Sequence, residues 1–181
     1  MRIIAGEARG RTIVTPAGRH TRPTLDRVRE NLFNMLQSEI PECRVLDLFA
    51  GSGALSLEAL SRGASFAVLV DSDRNANTVQ KKNIEALRFS SRTRVFHSDW
   101  RKALEKLRSE KESFDLVFLD PPYAMQDLTE VFSQLIPVIH ENSLVILEHE
   151  AGARINVPDR FSEIRQRAWG YCAVSFYRLS A

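Results

Sequence analysis

The chain has 181 residues, 44% of them apolar and 27% charged, with a formal net charge of +2. That length suffices for one domain whose core needs no covalent staple, and the balance is that of an ordinary globular protein. With Cys43 and Cys172 as its only cysteines it is no disulfide scaffold, and no apolar run approaches the ~18 residues that would span a bilayer. The first residues lack the basic-then-apolar layout of a secretory signal, so a reducing, cytoplasmic setting is expected. The four histidines, His20, His97, His140 and His149, have no HxH or HxxxH spacing, and no metal site is expected.

Charge is distributed unevenly. Residues 1–34 hold seven arginines and no lysine against Glu7, Asp26 and Glu30, so the rest of the chain is slightly acidic. A basic arm on a near-neutral body suggests a polyanionic partner, and Arg9, Arg11 and Arg19 are its candidate contacts. The arm opens with two short strand-like runs, Arg2–Ile4 and Thr12–Val14, about the turn-prone Gly6–Gly10, a pattern that predicts a small hairpin. Pro23 then begins a helical pattern through Leu25, Val28, Leu32, Phe33 and Leu36, ended by Pro41.

From Arg44 onward apolar runs alternate with amphipathic stretches. Strands are predicted at Arg44–Leu48, Phe66–Val70, Arg94–His97, Leu116–Leu119 and Leu144–Leu147. Helices are predicted between them, near Ala54–Arg62, Arg74–Leu87, Trp100–Arg108 and Leu128–Ile139. Continuous apolar strands separated by helices predict a parallel sheet covered on both faces. Phe161–Ala168 and Tyr171–Leu179 flank Gly170 and predict a terminal antiparallel hairpin. The expected fold is therefore α/β and Rossmann-like. A basic extension over residues 1–40 is expected to pack on a core over residues 41–181, as one structural domain.

Asp47-Leu48-Phe49-Ala50-Gly51-Ser52-Gly53 stands between the first core strand and the next helix. Glycines there let the backbone turn tightly and approach a ligand closely. A dinucleotide site would want a third glycine three residues on, but Ser56 stands there. S-adenosylmethionine carries no pyrophosphate; it needs acids for its ammonium and ribose. Asp47 is suited to the methionine end, and Asp71, followed by Ser72 after the second strand, to the ribose hydroxyls. Asp99 is suited to the adenine amino group, with Trp100 either against the ring or in the core. Asp73 reads as a helix cap.

The strand Leu116–Leu119 leads into Asp120-Pro121-Pro122-Tyr123. Two prolines make a rigid turn without backbone donors, which holds an acid and an aromatic at the carboxyl edge of a sheet. An exocyclic amine on a base is a poor nucleophile, because its lone pair is delocalised into the ring. The Asp120 carboxylate and the Pro121 carbonyl can accept both of its N–H groups as attack develops, while Tyr123 offers a stacking face for an extruded base. With a methyl donor alongside, this is methyl-transfer chemistry, and parallel strands with a terminal antiparallel hairpin are the class I methyltransferase arrangement rather than the all-parallel dehydrogenase one.

Taken together, Arg22-Pro-Thr-Leu-Asp-Arg-Val-Arg-Glu-Asn-Leu-Phe-Asn34, the Asp47–Gly53 loop followed by Leu57-Glu-Ala-Leu-Ser-Arg-Gly-Ala64, and Asp120-Pro-Pro-Tyr123 resemble the ribosomal small-subunit methyltransferase D family. Arg2-Ile-Ile-Ala-Gly6 and Arg9-Gly10 fit as well, so the resemblance covers nearly the whole chain. It implies methyl transfer from S-adenosylmethionine, leaving S-adenosylhomocysteine, to N2 of a guanine in 16S ribosomal RNA. The implied partner is small-subunit ribosomal RNA or an assembly intermediate, met by a monomer without membrane association. Arg22 and Thr24 are implied contacts at the methionine end. Where such enzymes often carry Glu after the second strand, this chain has Asp71, one methylene shorter.

The acid-proline turn also serves adenine N6, and less well a glutamine amide. A non-catalytic RNA-binding or assembly protein on the same scaffold is the reading from another class. Intact Asp47, Gly51, Gly53 and Asp120–Tyr123 oppose it, and cofactor binding in solution separates the two.

Overall fold

The computed structural model describes residues 1–16 and 23–181, with backbone only for Pro23 and Thr24. A seven-stranded sheet runs in the order β3-β2-β1-β4-β5-β7-β6. Its strands are β1 (Arg44–Asp47), β2 (Phe66–Asp71), β3 (Thr93–His97), β4 (Phe114–Leu119), β5 (Ile139–Glu150), β6 (Phe161–Trp169) and β7 (Cys172–Leu179). The first five pair in parallel, whereas β7 pairs antiparallel with both β5 and β6. The helices are α1 (Pro23–Met35), α2 (Ala54–Ser61), α3 (Arg74–Ala86), α4 (Trp100–Ser109) and α5 (Thr129–Leu135). The fold is the α/β, mostly parallel sheet with a terminal hairpin that the alternation of strands and helices predicts.

Alternate residues of each strand feed two cores. Val45, Leu69, Leu116, Phe118 and Ile146 pack beneath α1, α2 and α3, while Leu46, Val68, Val70, Val117 and Leu147 pack beneath α4 and α5. Both faces are covered, which is why these strands read as unbroken apolar runs. Strand order reverses where β1 meets β4, and the crevice beyond the carboxyl ends of those two strands is where open sheets of this kind bind ligands.

The structure differs from expectation in three places. The run Arg2–Ile4 meets Thr12–Val14 through a single antiparallel bridge, Arg2 with Thr12, rather than a hairpin of named strands. Helix α5 stops at Leu135 and passes into one 3₁₀ turn, Ile136–Val138, because Pro137 has no N–H to continue it. Strand β5 begins at Ile139, earlier than predicted, and its register against β4 shifts between Phe114 and Leu116. There the Ser143 hydroxyl accepts from the His140 N–H (2.9 Å) and donates to the Phe114 carbonyl (2.7 Å), so polar residues sit in the strand without orphaned groups.

The first sixteen residues belong to the main core. Ile3, Ala8 and Ile13 are buried in the same cluster as α1 and α2. Glu58 of α2 has no exposed surface and accepts from the backbone N–H groups of Ile4 (2.9 Å) and Ala5 (3.1 Å) while pairing with Arg62 (2.9 Å). Gly6 lies so close to α2 that a Cβ would stand 1.8 Å from the Ser61 carbonyl oxygen, and its φ of 85° is in the left-handed region. No other residue fits there.

Candidate active site

The loop after β1 is shaped by its glycines. Gly51 and Gly53 have φ of 56° and 84°, and Gly53 opens α2. A Cβ on Gly53 would come 2.8 Å from the Leu69 side chain. Three side chains hold this loop from outside. Asp71 accepts from the Gly51 N–H (2.8 Å), Gln80 donates to the Gly51 carbonyl (2.8 Å), and Asn83 donates to the Ser52 carbonyl (3.1 Å). The same Asn83 amide brackets Val14, donating to its carbonyl and accepting from its N–H, both at 2.8 Å. The loop and the N-terminal segment are thus fixed against α3 together.

A cleft opens over this loop. Phe49, Ala50, Gly51 and Ser52 line it from below, Thr15 and Pro16 from the arm, and Leu25, Val28, Arg29 and Leu32 from α1. Asp120 and Glu148, at the carboxyl ends of β4 and β5, close its far side. Arg29 and Asp47 are two of the buried residues with polar atoms left unbonded among the described residues, and they stand at or just beneath it. Arg29 is buried, and among the described residues its Nε and Nη1 have no hydrogen-bond partner, although Nη1 stands 3.9 Å from a Glu58 oxygen and Nη2 donates to the Arg2 carbonyl (2.6 Å). Burial holds its pKa below the usual value, against the opposing charge of Glu58. Asp47 accepts from the Ser56 hydroxyl at 2.8 Å through one oxygen, and the other has no hydrogen-bond partner among the described residues. Burial, with the nearby charge of Asp71 adding to it, pushes the Asp47 carboxyl up to about 7.

The remaining sequence candidates spread along the same edge. Asp71 ends β2 partly exposed, its second oxygen accepting from the Asp73 N–H (2.9 Å), and Ser72 beside it is exposed. Asp73 caps α3 through the Asn75 N–H, as its position predicts. Asp99 caps α4 in the same way, accepting from the Arg101 N–H (2.9 Å), and remains exposed. Trp100 is buried in the second core, with the Arg101 guanidinium 4.4 Å from its ring centroid. Its ring therefore packs as a core aromatic on the first turn of α4. Arg19 and Arg22 lie outside the described residues, as does the side chain of Thr24.

Beyond β4, Asp120 is exposed, Pro121 buried, and Pro122 and Tyr123 exposed. A second, smaller depression is lined by Pro121, Pro122, Tyr123, Met125 and Glu148. Glu148 borders both hollows and is the link that sequence reasoning missed. Its carboxyl accepts from the Cys172 thiol (3.3 Å) and is held above the usual carboxylate range by burial. Burial and the adjacent Glu148 push the Cys172 thiol up to about 12, and burial together with Cys172 raises the Tyr123 phenol. Asp47, Asp71 and Asp120 were legible as acids closing strands, and Glu148 at the end of β5 carries the same signal. Cys172 reaches it only through the β5–β7 pairing, which no local pattern reveals.

The arm's arginines stand elsewhere. The Arg11 guanidinium donates to the carbonyl of Ala86, the last residue of α3, while Glu7 N–H donates to that of Ser61, the last of α2 (2.8 Å). Helices in such crossovers run back from the carboxyl edge, so Arg9 and Arg11 lie toward the opposite edge of the sheet from Asp120.

Residues 1–178 match the family described as Conserved hypothetical protein 95. Ribosomal RNA small subunit methyltransferase D of Escherichia coli K12 is 37% identical, over 100% of this chain and 91% of its own. The protein of that name from Haemophilus influenzae is 33% identical, over 98% and 93%. The solved structure of yhhF from Escherichia coli superposes with a TM-score of 0.84 at 37% identity, covering 100% of this chain and 98% of its own.

Proposed function

We propose that this chain, which belongs to the Conserved hypothetical protein 95 family together with ribosomal RNA small subunit methyltransferase D, transfers a methyl group from S-adenosylmethionine to N2 of a guanine in 16S ribosomal RNA. The observation that carries the reading is the Asp120–Tyr123 turn, which stands between a glycine-floored cleft and a second hollow that share Glu148.

The residues present fit the cofactor. Among the described residues Arg29 keeps donors without a hydrogen bond beside its ion pairs to Asp26 and Glu58, and Asp47 keeps a free acceptor, a complement to the carboxylate and ammonium of an amino acid. Phe49, Ala50, Gly51 and Ser52 would hold the middle of the molecule, with Asp71 and Ser72 toward the ribose and Asp99 toward the adenine. Arg22 and Thr24 remain candidates at the methionine end. When bound, the cofactor supplies an electrophilic methyl on a sulfonium.

The chain's own residues then orient the nucleophile. The Asp120 carboxylate and Pro121 carbonyl accept the two N–H groups of the base, Pro121 and Pro122 keep that pair from reorganising, and Tyr123 stacks on the ring. Asp120 and Pro121 would hold the two N–H groups while the amine takes up the methyl carbon, with the carbon–sulfur electron pair staying on sulfur, until the extra proton passes from nitrogen to solvent. Alignment supplies most of the rate.

The test is transfer of labelled methyl to small-subunit RNA from cells lacking this protein, followed by nucleoside analysis. Label in N2-methylguanosine is the expected result; label in N6-methyladenosine would assign the adenine alternative, and none in RNA would overturn the reading.

Asp71 provides a sharper check of the cofactor end. Asp71→Ala should weaken S-adenosylmethionine binding by about 1–3 kcal/mol, the cost of leaving buried donors unpaired. Calorimetry showing unchanged affinity would remove Asp71 from the site.

A further inference from the structure

The C-terminal hairpin carries a basic surface of its own, apart from the arginines of the N-terminal arm. Strand β6 is the sheet's outer edge, and Ser162 through Ala168 are all exposed. Its odd-numbered residues Arg165, Arg167 and Trp169 form one wall of an open groove, and Asn31, Asn34 and Met35 of α1 form the other. Among the described residues seven arginines, including Arg44, Arg92, Arg94 and Arg101, are tied to carboxylates. Arg165 and Arg167 make no ion pair among the described residues, and the one side-chain bond recorded for Arg167 runs to the carbonyl of Gln166 beside it (2.8 Å). The acid of β6, Glu163, is engaged by Gln166, which also reaches Ser175. Arg27, exposed one helical turn before Asn31, extends the wall; the acids nearest to it in sequence are Asp26, which pairs with Arg29, and Glu30.

The groove also points the right way. Trp169 pairs with Cys172 where β6 ends, next to the carboxyl end of β5. Exposed Tyr171 accepts from the Ala151 N–H (2.7 Å), and Cys172 is the neighbour of Tyr123. Guanidinium groups, side-chain amides and Trp169 in one groove, with exposed Tyr171 two residues beyond, make a surface for a phosphate chain with unstacked bases.

We propose that the groove between α1 and β6 binds the ribose–phosphate backbone of the RNA that enters the site, through Arg165 and Arg167 with Asn31 and Asn34, and that Trp169 and Tyr171 meet its bases. This rests on the RNA methyltransferase function proposed above. Each phosphate neutralised contributes about 0.7–0.9 to the slope of log affinity against log salt. The pair Arg165→Gln and Arg167→Gln should therefore flatten that slope by roughly 1.4–1.8 on deproteinised small-subunit RNA, and weaken binding by tens of fold at 0.1 M salt. Cofactor affinity and melting temperature should match wild type, and the pair Arg165→Lys and Arg167→Lys should keep the wild-type slope. A slope unchanged in the Gln pair overturns the proposal. So does a slope carried instead by Arg9→Gln and Arg11→Gln. Wild-type binding to free RNA, with activity lost only on assembled subunits, would mean that the groove meets protein, and the proposal falls. Wild-type protein that neither binds nor methylates RNA would remove the underlying function, a result distinct from a groove failure in an active enzyme.

Discussion

Asp120→Ala should lower the single-turnover rate of methyl transfer by about 10²-fold or more, the usual loss when one preorganised electrostatic contact to a developing charge is deleted. Two features make the experiment clean. Asp120 is exposed beyond the end of β4, so its removal opens no cavity in either core. The polar groups that fit the cofactor's amino-acid end, on Arg29 and Asp47, belong to other elements, so cofactor affinity should stay within a few-fold of wild type. A purely structural turn makes the opposite forecast, with thermal stability and activity falling together. A variant that folds, binds cofactor and transfers methyl at near wild-type rate would end the catalytic assignment of Asp120.

Asp47→Asn should make the ligand-free protein more stable at pH 8 and less responsive to pH. The folded carboxyl titrates near 7, whereas an ordinary one titrates near 3.8. The folded state therefore keeps a proton that the unfolded chain has released, and stability is lost as pH rises from about 4 to about 7. The full penalty above that range is on the order of 4 kcal/mol. Asparagine removes it but leaves an amide N–H where the unpartnered oxygen now stands, at about 1–3 kcal/mol. Desolvation of the charge is the larger effect, so the variant should melt several degrees higher at pH 8 and no higher at pH 5. Its affinity for S-adenosylmethionine should fall, since a carboxylate is the better partner for an ammonium. If the wild-type pH dependence survives intact in the Asn variant, burial of Asp47 is not its source.

What the sequence made legible is what local periodicity and strand ends encode. The parallel strands declared themselves as apolar runs because both of their faces are covered, and the acids at their ends were visible as breaks in those runs. The cap at Asp73 follows from position as well, whereas Asp99, read only as an adenine contact, also caps α4. Glu58 could not be recognised, since it sits at an apolar-looking helix position and its partners Ile4 and Ala5 are more than fifty residues away. Arg29 reads as one more charge of a basic arm, yet α1 carries it inward to the cleft. Trp100 had two equal readings, and only the packing of α4 on the sheet selects the core one. The groove on β6 was hidden because a strand's wall becomes a groove only when a helix from the other end of the chain lies alongside it.

Asn83 sets a condition on interpreting any of these substitutions. One amide group grips the chain at Val14 and at Ser52, and Gln80, almost a helical turn earlier, grips Gly51. A defect seen after altering Asn83 therefore has no single address. Loosening the segment that leads to Thr15 and Pro16 and loosening the floor of the cleft are, at this residue, the same event. Attributing lost cofactor affinity to one or the other requires a change that removes one contact alone, such as Val14→Pro, which deletes the N–H that Asn83 accepts and leaves the Ser52 carbonyl in place.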